Sequence, residues 1–147
     1  MKHFILFTLI LLVTGACAKK NKSTSPEVTL ASSLMGSKWC QTLDPVRGSN
    51  STYISAYTFF PDMTSEVKGV SIYRSSDSQP SVYKTVSSSW SLNGSYLRFY
   101  DLSQNLIEGT AVIRTREVYG RNTTNLEIQG DKLLIFNVCW ESILNAK

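Results

Sequence analysis

The chain has 147 residues, with 15 lysines and arginines, 11 aspartates and glutamates, and a formal net charge of +4. From Leu34 onward there are eleven basic and ten acidic side chains, so most of the positive excess lies in the first 33 residues. A nearly neutral C-terminal part gives no support for a basic nucleic-acid surface, because such surfaces bind by neutralising phosphates, and we expect no nucleic-acid partner.

Residues 1–16 have the pattern of a secretory signal peptide. A basic start precedes an apolar run at residues 4–13, which is shorter than the roughly 20 residues that a permanent membrane span needs. Residues 14–17, Thr-Gly-Ala-Cys, resemble a bacterial lipobox, so we expect cleavage before Cys17 and a lipid on that cysteine. The alternative is ordinary cleavage after Ala18, which would release a secreted or periplasmic protein.

The segment that follows is predicted to be a tether. Residues 17–33 begin with the lipidated cysteine, include Lys19, Lys20 and Lys22, and are otherwise mostly small and polar. They bury too little apolar area to offset the entropy of ordering, so we expect a flexible linker. The lysines either contact anionic headgroups or only keep the linker soluble. Since Ala18 rather than aspartate follows the cysteine, a Gram-negative cell is expected to place the protein in the outer membrane.

The three cysteines, Cys17, Cys40 and Cys139, fit the same interpretation. If Cys17 carries a lipid, the other two form an even pair, which an oxidising cell envelope or exterior would allow to bridge. Such a disulfide would close a loop of about 100 residues and contribute up to about 4.7 kcal/mol in the chain-entropy model. Two independent buried thiols are the alternative.

Residues 34–147 are predicted to form one all-β domain. Runs rich in Tyr, Val, Ile, Phe and Thr alternate with turn residues, and no stretch keeps a helical period for long. About eight strands are expected, at residues 37–43, 53–60, 66–73, 82–92, 96–100, 107–118, 126–128 and 132–139. Tight hairpin turns are predicted at Asn93-Gly94 and Gly130-Asp131, with longer turns at residues 61–64 and 119–122.

Alternation along these strands predicts a buried and a solvated face. Leu97 and Phe99 share one side of their strand, whereas Tyr96, Arg98 and Tyr100 share the other. This pattern is typical of an antiparallel sheet closed or folded on itself. Eight meandering strands are enough to close an up-and-down barrel that holds packed side chains or one small ligand.

Several motifs resemble those of lipocalin-like (calycin) barrels in small bacterial lipoproteins. Residues 36–39, Gly-Ser-Lys-Trp, resemble the Gly-x-Trp opening, and residues 57–62 resemble the Phe-x-x-Asp-Gly hairpin, with Met63 in place of the glycine. Residues 90–97 and 126–133 resemble later hairpins of the family. The resemblance implies a barrel with an optional lumen and no reaction. The aromatic candidates to line that lumen are Trp39, Tyr57, Phe59, Trp90 and Phe99.

Catalysis finds little support in the sequence. The only histidine, His3, is lost with the signal peptide, so the mature chain has no imidazole for a catalytic triad or a metal site. The carboxylates are scattered singly, and we therefore expect no enzyme, no metal and no cofactor. Arg98, Arg114 and Arg116 form either an anion- or sugar-binding patch or a set of separate exterior side chains.

We therefore expect a cell-envelope lipoprotein that attaches to the membrane through its lipid and acts as a non-catalytic binding module for a small apolar ligand in the barrel. The alternative is an envelope interaction protein, such as a protease or lysozyme inhibitor, that uses the barrel surface. An enzyme is the third alternative. A cavity of roughly 300 Å³ or more would favour the ligand carrier, and a lumen filled by aromatic side chains would favour surface interaction.

Overall fold

The structure is a computed structural model that describes residues 26–43, 49–73, 79–118 and 120–147. The predicted signal peptide and Cys17 lie outside these residues. In chain order the elements are α1 (Pro26–Met35), β1 (Trp39–Thr42), β2 (Ser51–Phe59), β3 (Thr64–Tyr73), β4 (Ser81–Ser89), β5 (Ser91–Asn93), β6 (Tyr96–Tyr100), β7 (Leu106–Val118), β8 (Arg121–Gln129), β9 (Leu133–Val138) and α2 (Glu141–Leu144).

The strands form one antiparallel sheet in the order β4-β3-β2-β1-β9-β8-β7-β6-β5. The predicted all-β antiparallel fold is therefore confirmed. Nearly all neighbours are consecutive in the chain, and the first strand also pairs with the last, β9. β4 and β5, at the two ends of the order, are separated in sequence by Trp90 alone.

Trp90 explains why nine strands form instead of about eight, since it divides the predicted strand at residues 82–92. Its backbone N–H donates to the Met63 carbonyl at 3.0 Å. Its indole Nε1 donates to the Phe60 carbonyl at 2.9 Å. Because both donors point to the β2–β3 turn, the segment stops pairing with β3 before it begins to pair with β6.

The β5–β6 turn lies one residue later than the sequence predicts. Asn93 pairs with Tyr96 across the ladder, so the turn residues are Gly94 and Ser95 rather than Asn93 and Gly94. Gly94 has a φ of 61°. Glycine at the first central position of a two-residue hairpin supplies the positive φ that this turn needs.

The sheet has two ends that are defined by strand direction. The turns at residues 60–63 and 94–95 lie at the end where β1 begins, which we call the α1 end because α1 leads directly into β1. The connections at residues 101–105 and 130–132 lie at the opposite end, which we call the loop end.

The inner face of the sheet is packed with aromatic and aliphatic side chains. Tyr57 lies edge-on to Phe99 with ring centroids 5.4 Å apart, and Phe59 contacts Trp90 and Phe99 in the same way, both at 5.3 Å. Edge-to-face pairs of this kind add about 0.5–1.5 kcal/mol to the effect of burial. The buried members of this core are Leu34, Trp39, Tyr57, Phe59, Val67, Trp90, Leu97, Phe99, Leu102, Ala111, Leu126, Ile128 and Phe136.

Helix α1 corrects the prediction of a flexible linker for residues 26–33. Leu34 is completely buried, and Leu30 and Met35 pack against the same core. The Leu34 carbonyl also accepts a hydrogen bond from Trp39 Nε1 at 3.3 Å. The segment itself offers little apolar area, but the strands supply an apolar surface that it can cover. Packing against that surface orders the helix.

A second apolar cluster lies on the other face of β1–β3 and contains the predicted disulfide. Cys40 and Cys139 are bonded, with 99 residues of sequence separation and Cα atoms 5.0 Å apart. Around them pack Ile54, Val70 and, from α2, Ile143. The disulfide therefore joins β1 to the chain just after β9.

The β2–β3 turn places Met63 in a left-handed conformation, with a φ of 62°. Glycine adopts this conformation freely, whereas an L residue pays about 1–2 kcal/mol in steric strain. Met63 occupies the position at which the resembling hairpins have glycine.

Replacing Met63→Gly is expected to raise the free energy of unfolding by about 0.5–1 kcal/mol, because the removed strain exceeds the entropy that glycine gains in the unfolded chain. The measurement is urea unfolding at neutral pH. Met63→Ala is the matched control, since alanine keeps the strain. Equal stability of the glycine and alanine variants would contradict this account.

Candidate functional site

A cavity of about 530 Å³ opens at the loop end. β1 and β9 are paired only at Trp39–Val138 and Cys40–Asn137, and the unpaired lengths of both strands beyond these positions contribute to the cavity wall. Its lining residues are Gln41, Thr42, Leu43, Ser55, Tyr57, Tyr83, Lys84, Asp101, Leu102, Ser103, Ile107, Lys132 and Leu134.

One wall depends on the missing side chain of Gly69. A Cβ atom there would lie 2.6 Å from Tyr83 Cζ and 2.7 Å from Leu102 Cδ2, too close for either neighbour. Tyr83 is left without a partner by a register shift, since Gly69 pairs with Lys84 and Val70 pairs with Val82. Glycine at this position therefore allows the Tyr83 ring and Leu102 to pack over β3 and to bound the cavity.

The β6–β7 connection is fixed by Asp101. Its Oδ1 accepts hydrogen bonds from the backbone N–H groups of Ser103 and Asn105, both at 2.8 Å. Its Oδ2 accepts one from Asn105 Nδ2 at 3.0 Å. The connection holds Leu102, which is 8% exposed, against the inner core. Asp101 thus organises the cavity wall and has both oxygens already engaged.

Two buried hydroxyl groups lie at the floor of the cavity. Ser55 is 1% exposed and Tyr57 is 2% exposed. Burial raises the pKa of Tyr57 to about 12; the nearby Ser55 hydroxyl lowers it in part and the charge of Asp101 raises it. Among the residues that the structure describes, none forms a hydrogen bond of ordinary geometry with Ser55 Oγ. The floor thus combines a protonated phenol with a buried hydroxyl that has unused hydrogen-bonding capacity.

The rim of the cavity carries more positive than negative charge. Lys84 and Lys132 are both exposed lining residues. Within the described parts of the chain, the ion pairs involve neither of these lysines. Because two lysines face the single carboxylate of Asp101, the rim favours a ligand that carries an anionic or acceptor group. Ile107 and Leu134 supply apolar surface beside it.

The five aromatic residues that the sequence suggested as lumen-lining fall into two groups in the structure. Tyr57 lines the loop-end cavity, whereas Trp39, Phe59, Trp90 and Phe99 pack within the inner core and do not line it. These four side chains are each at most 3% exposed. The space available to a ligand therefore lies above the aromatic core, towards the loop end.

The three candidate arginines are held in ion pairs with carboxylates. Arg98 Nε lies 2.9 Å from Glu108. Arg114 Nε and Arg116 Nη2 both contact Glu127, at 2.9 and 2.7 Å. Glu127 is 4% exposed. The arginines consequently do not form a single unpaired cationic patch.

Sequence reasoning missed most of the cavity. Ser55, Gly69, Lys84 and Leu102 carry no local motif, and Asp101 stood out only as one of several isolated carboxylates. The sequence Asp-Leu-Ser-Gln-Asn at residues 101–105 did contain a usable signal, because an aspartate that caps the following backbone N–H groups is a common turn device.

Comparison with known proteins gives no match to a family model, to a curated protein or to a solved structure. Among the residues that the structure describes, no three His, Cys, Asp or Glu side chains come together in a group suited to a metal ion. The helices of this described portion are all too short or too polar to cross a bilayer.

The raised pKa of Tyr57 predicts a loss of stability at high pH. The native state keeps the phenolic proton to about pH 12, whereas in the unfolded chain the tyrosine pKa has its ordinary value of 10.0. Between these values the native state binds more protons, so the free energy of unfolding falls as pH rises, by about 3 kcal/mol in total. Urea unfolding at pH 9 and pH 11.5 should show about 2 kcal/mol of this fall, and Tyr57→Phe is the control. An equal fall in both proteins would refute the assignment.

Proposed function

We propose that this chain is a cell-envelope lipoprotein, anchored through Cys17, whose folded domain is a non-catalytic module that binds small amphipathic molecules in the loop-end cavity. The observation that carries the binding role is the cavity of about 530 Å³, in which a few apolar side chains lie beside buried hydroxyls and a lysine rim. Ligand sites typically have volumes of about 300–1,000 Å³ and combine apolar lining with a few placed polar groups.

We also propose that the domain is a lipocalin-like barrel. The strands follow a meander in which β1 pairs with β9. β4 and β5, which end the order of the sheet, are joined through Trp90. β4 and β5 do not pair in the sheet. The meander order and the adjacency of its two end strands through Trp90 support the proposal of a small up-and-down barrel.

The cavity changes the class of ligand that we propose. Because Trp39, Phe59, Trp90 and Phe99 fill the core, a purely apolar ligand deep among these rings has little support. Leu102, Ile107 and Leu134 suit a short apolar group, and Lys84 and Lys132 suit an anionic one.

The filled core also favours a second candidate, an envelope interaction or inhibitor protein that uses the outer surface. Leu133 and Ile135 of β9 are 55% and 44% exposed, and they lie on the outer face beside the arginine pairs. Apolar side chains next to arginine are common in protein interfaces.

The first test of the binding role uses 1-anilinonaphthalene-8-sulfonate, a fluorescent amphipathic anion. Lys84→Gln and Lys132→Gln are each expected to weaken its binding by up to about fivefold, since an exposed ion pair contributes at most about 1 kcal/mol. Fluorescence titration at low salt measures the Kd.

Lys68→Gln is the matched control, because Lys68 does not line the cavity and pairs with Glu66 at 3.5 Å. If the double variant at positions 84 and 132 binds the probe as tightly as the Lys68→Gln protein, the cavity is not the binding site. A probe that fails to bind the folded protein at all would favour the surface-interaction candidate.

The second test concerns the anchor. Cells grown with a clickable palmitate analogue should label the wild-type protein and not the Cys17→Ser variant, because only a cysteine thiol at the new N-terminus accepts the lipid. Membrane fractionation should then place the wild-type protein in the outer membrane of a Gram-negative host. Equal labelling of both proteins would disprove lipidation and leave a secreted or periplasmic protein.

A further inference from the structure

The α1 end of the sheet exposes three large apolar side chains. Phe60, Met63 and Trp140 are 38%, 51% and 63% exposed. Trp39 of β1 is in register with Tyr57 on one side and Val138 on the other. Phe60 directly follows β2, and Trp140 follows Cys139, whose backbone N–H donates to the Lys38 carbonyl just before β1, so both residues lie near the start of β1.

The turn that carries Phe60 and Met63 is held rigidly. Trp90 donates to the carbonyl groups of both residues, at 2.9 and 3.0 Å. The Met63 N–H also donates to the Phe60 carbonyl at 3.1 Å. Two apolar side chains are therefore presented to solvent by a turn that has little freedom to withdraw them.

Met63 is exposed at a conformational cost. Its φ of 62° is one that glycine would adopt without strain, yet the chain has a long apolar side chain there. Strain that a surface turn retains without any gain in packing indicates a role for the side chain outside the fold. Exposed apolar side chains and an exposed tryptophan at one end of a domain are a common sign of a membrane or protein contact.

The position of the N-terminal segment identifies the surface that these side chains meet. The chain reaches the domain through α1, which packs across this end with Leu34 buried and contacts both β2 and β7. Eight residues separate Cys17 from Pro26, and they span at most about 30 Å. A lipid on Cys17 would hold the α1 end close to the bilayer and leave the loop end on the far side.

We infer that the α1 end rests on the bilayer surface, with Phe60, Met63 and Trp140 in the interfacial region and the loop-end cavity facing the aqueous compartment. This inference rests on the proposed lipid anchor. Tryptophan is enriched at the membrane–water interface, where its ring contacts acyl chains and its N–H remains hydrated. Ligands would then enter the cavity from water rather than from the membrane.

The charged residues near these side chains indicate which lipid headgroups this surface suits. Lys38 lies at the same end, as do Asp62 within the turn and, beside the β7–β8 turn, Glu117 and Arg121. Hydrogen bonds from the Thr64 side chain and backbone lower the pKa of Asp62, so it stays ionised. With both signs of charge present, the surface suits zwitterionic headgroups better than strongly anionic ones.

Trp140 provides a direct test, because Trp39 and Trp90 are only 1% and 3% exposed. The lipidated full-length protein is reconstituted into vesicles of zwitterionic phospholipid with bromine atoms near the headgroup end of the acyl chains. Trp140 emission should shift to shorter wavelength and be quenched by the bromine. The Trp140→Phe protein should lose the quenched component.

A double Phe60→Ser, Met63→Ser variant should reduce the quenching of Trp140, since the turn then loses its apolar contact. Leu133→Ser is the matched control, because Leu133 is 55% exposed but lies at the loop end, and it should leave quenching unchanged. Near-ultraviolet circular dichroism checks that each variant is folded.

Flotation of the vesicles separates the two ways in which the inference can fail. Protein that floats with the vesicles while Trp140 stays unquenched would overturn the docking of the α1 end and retain the anchor. Protein that does not float would overturn the anchor and the docking together.

Discussion

β1 pairs with β2 through four residue pairs and with β9 through two, and the rest of the sheet depends on this double pairing. Trp39 points into the inner core, and Cys40 points to the opposite face, where it is bonded to Cys139. Because successive side chains of a strand point to opposite faces, the consecutive residues Trp39 and Cys40 stabilise the two faces of the sheet. The first and last strands are joined by backbone pairs, by packing and by a covalent bond at one place.

The cavity is a consequence of how short that pairing is. Beyond Cys40 the two strands no longer pair, and Gln41, Leu43 and Leu134 line the open space between them. At the α1 end the aromatic core and α1 fill the interior. One end of the domain is therefore solid and the other is open, which is a physical basis for assigning different roles to them.

Some features of the fold were predictable because they depend on neighbours in the chain. The alternation of Leu97 and Phe99 with Tyr96 and Arg98 correctly indicated the inner face of β6. The pairing of Cys40 with Cys139 followed from a count of cysteines and their places in the chain. The break at Trp90 was not predictable, because its donors are satisfied by carbonyl groups about 30 residues earlier in the chain.

The sequence by itself determined an all-β antiparallel domain, the buried aromatic residues and the cysteine pair, since periodicity and composition are local properties. Only the tertiary structure decided that residues 26–33 are helical, that Glu127 is buried beneath Arg114 and Arg116, and that Tyr57 alone among the aromatic candidates lines the cavity. Each of these depends on which strands become neighbours. A side chain's burial and electrostatic surroundings are set by residues far away in sequence, and these are brought together only when the sheet forms.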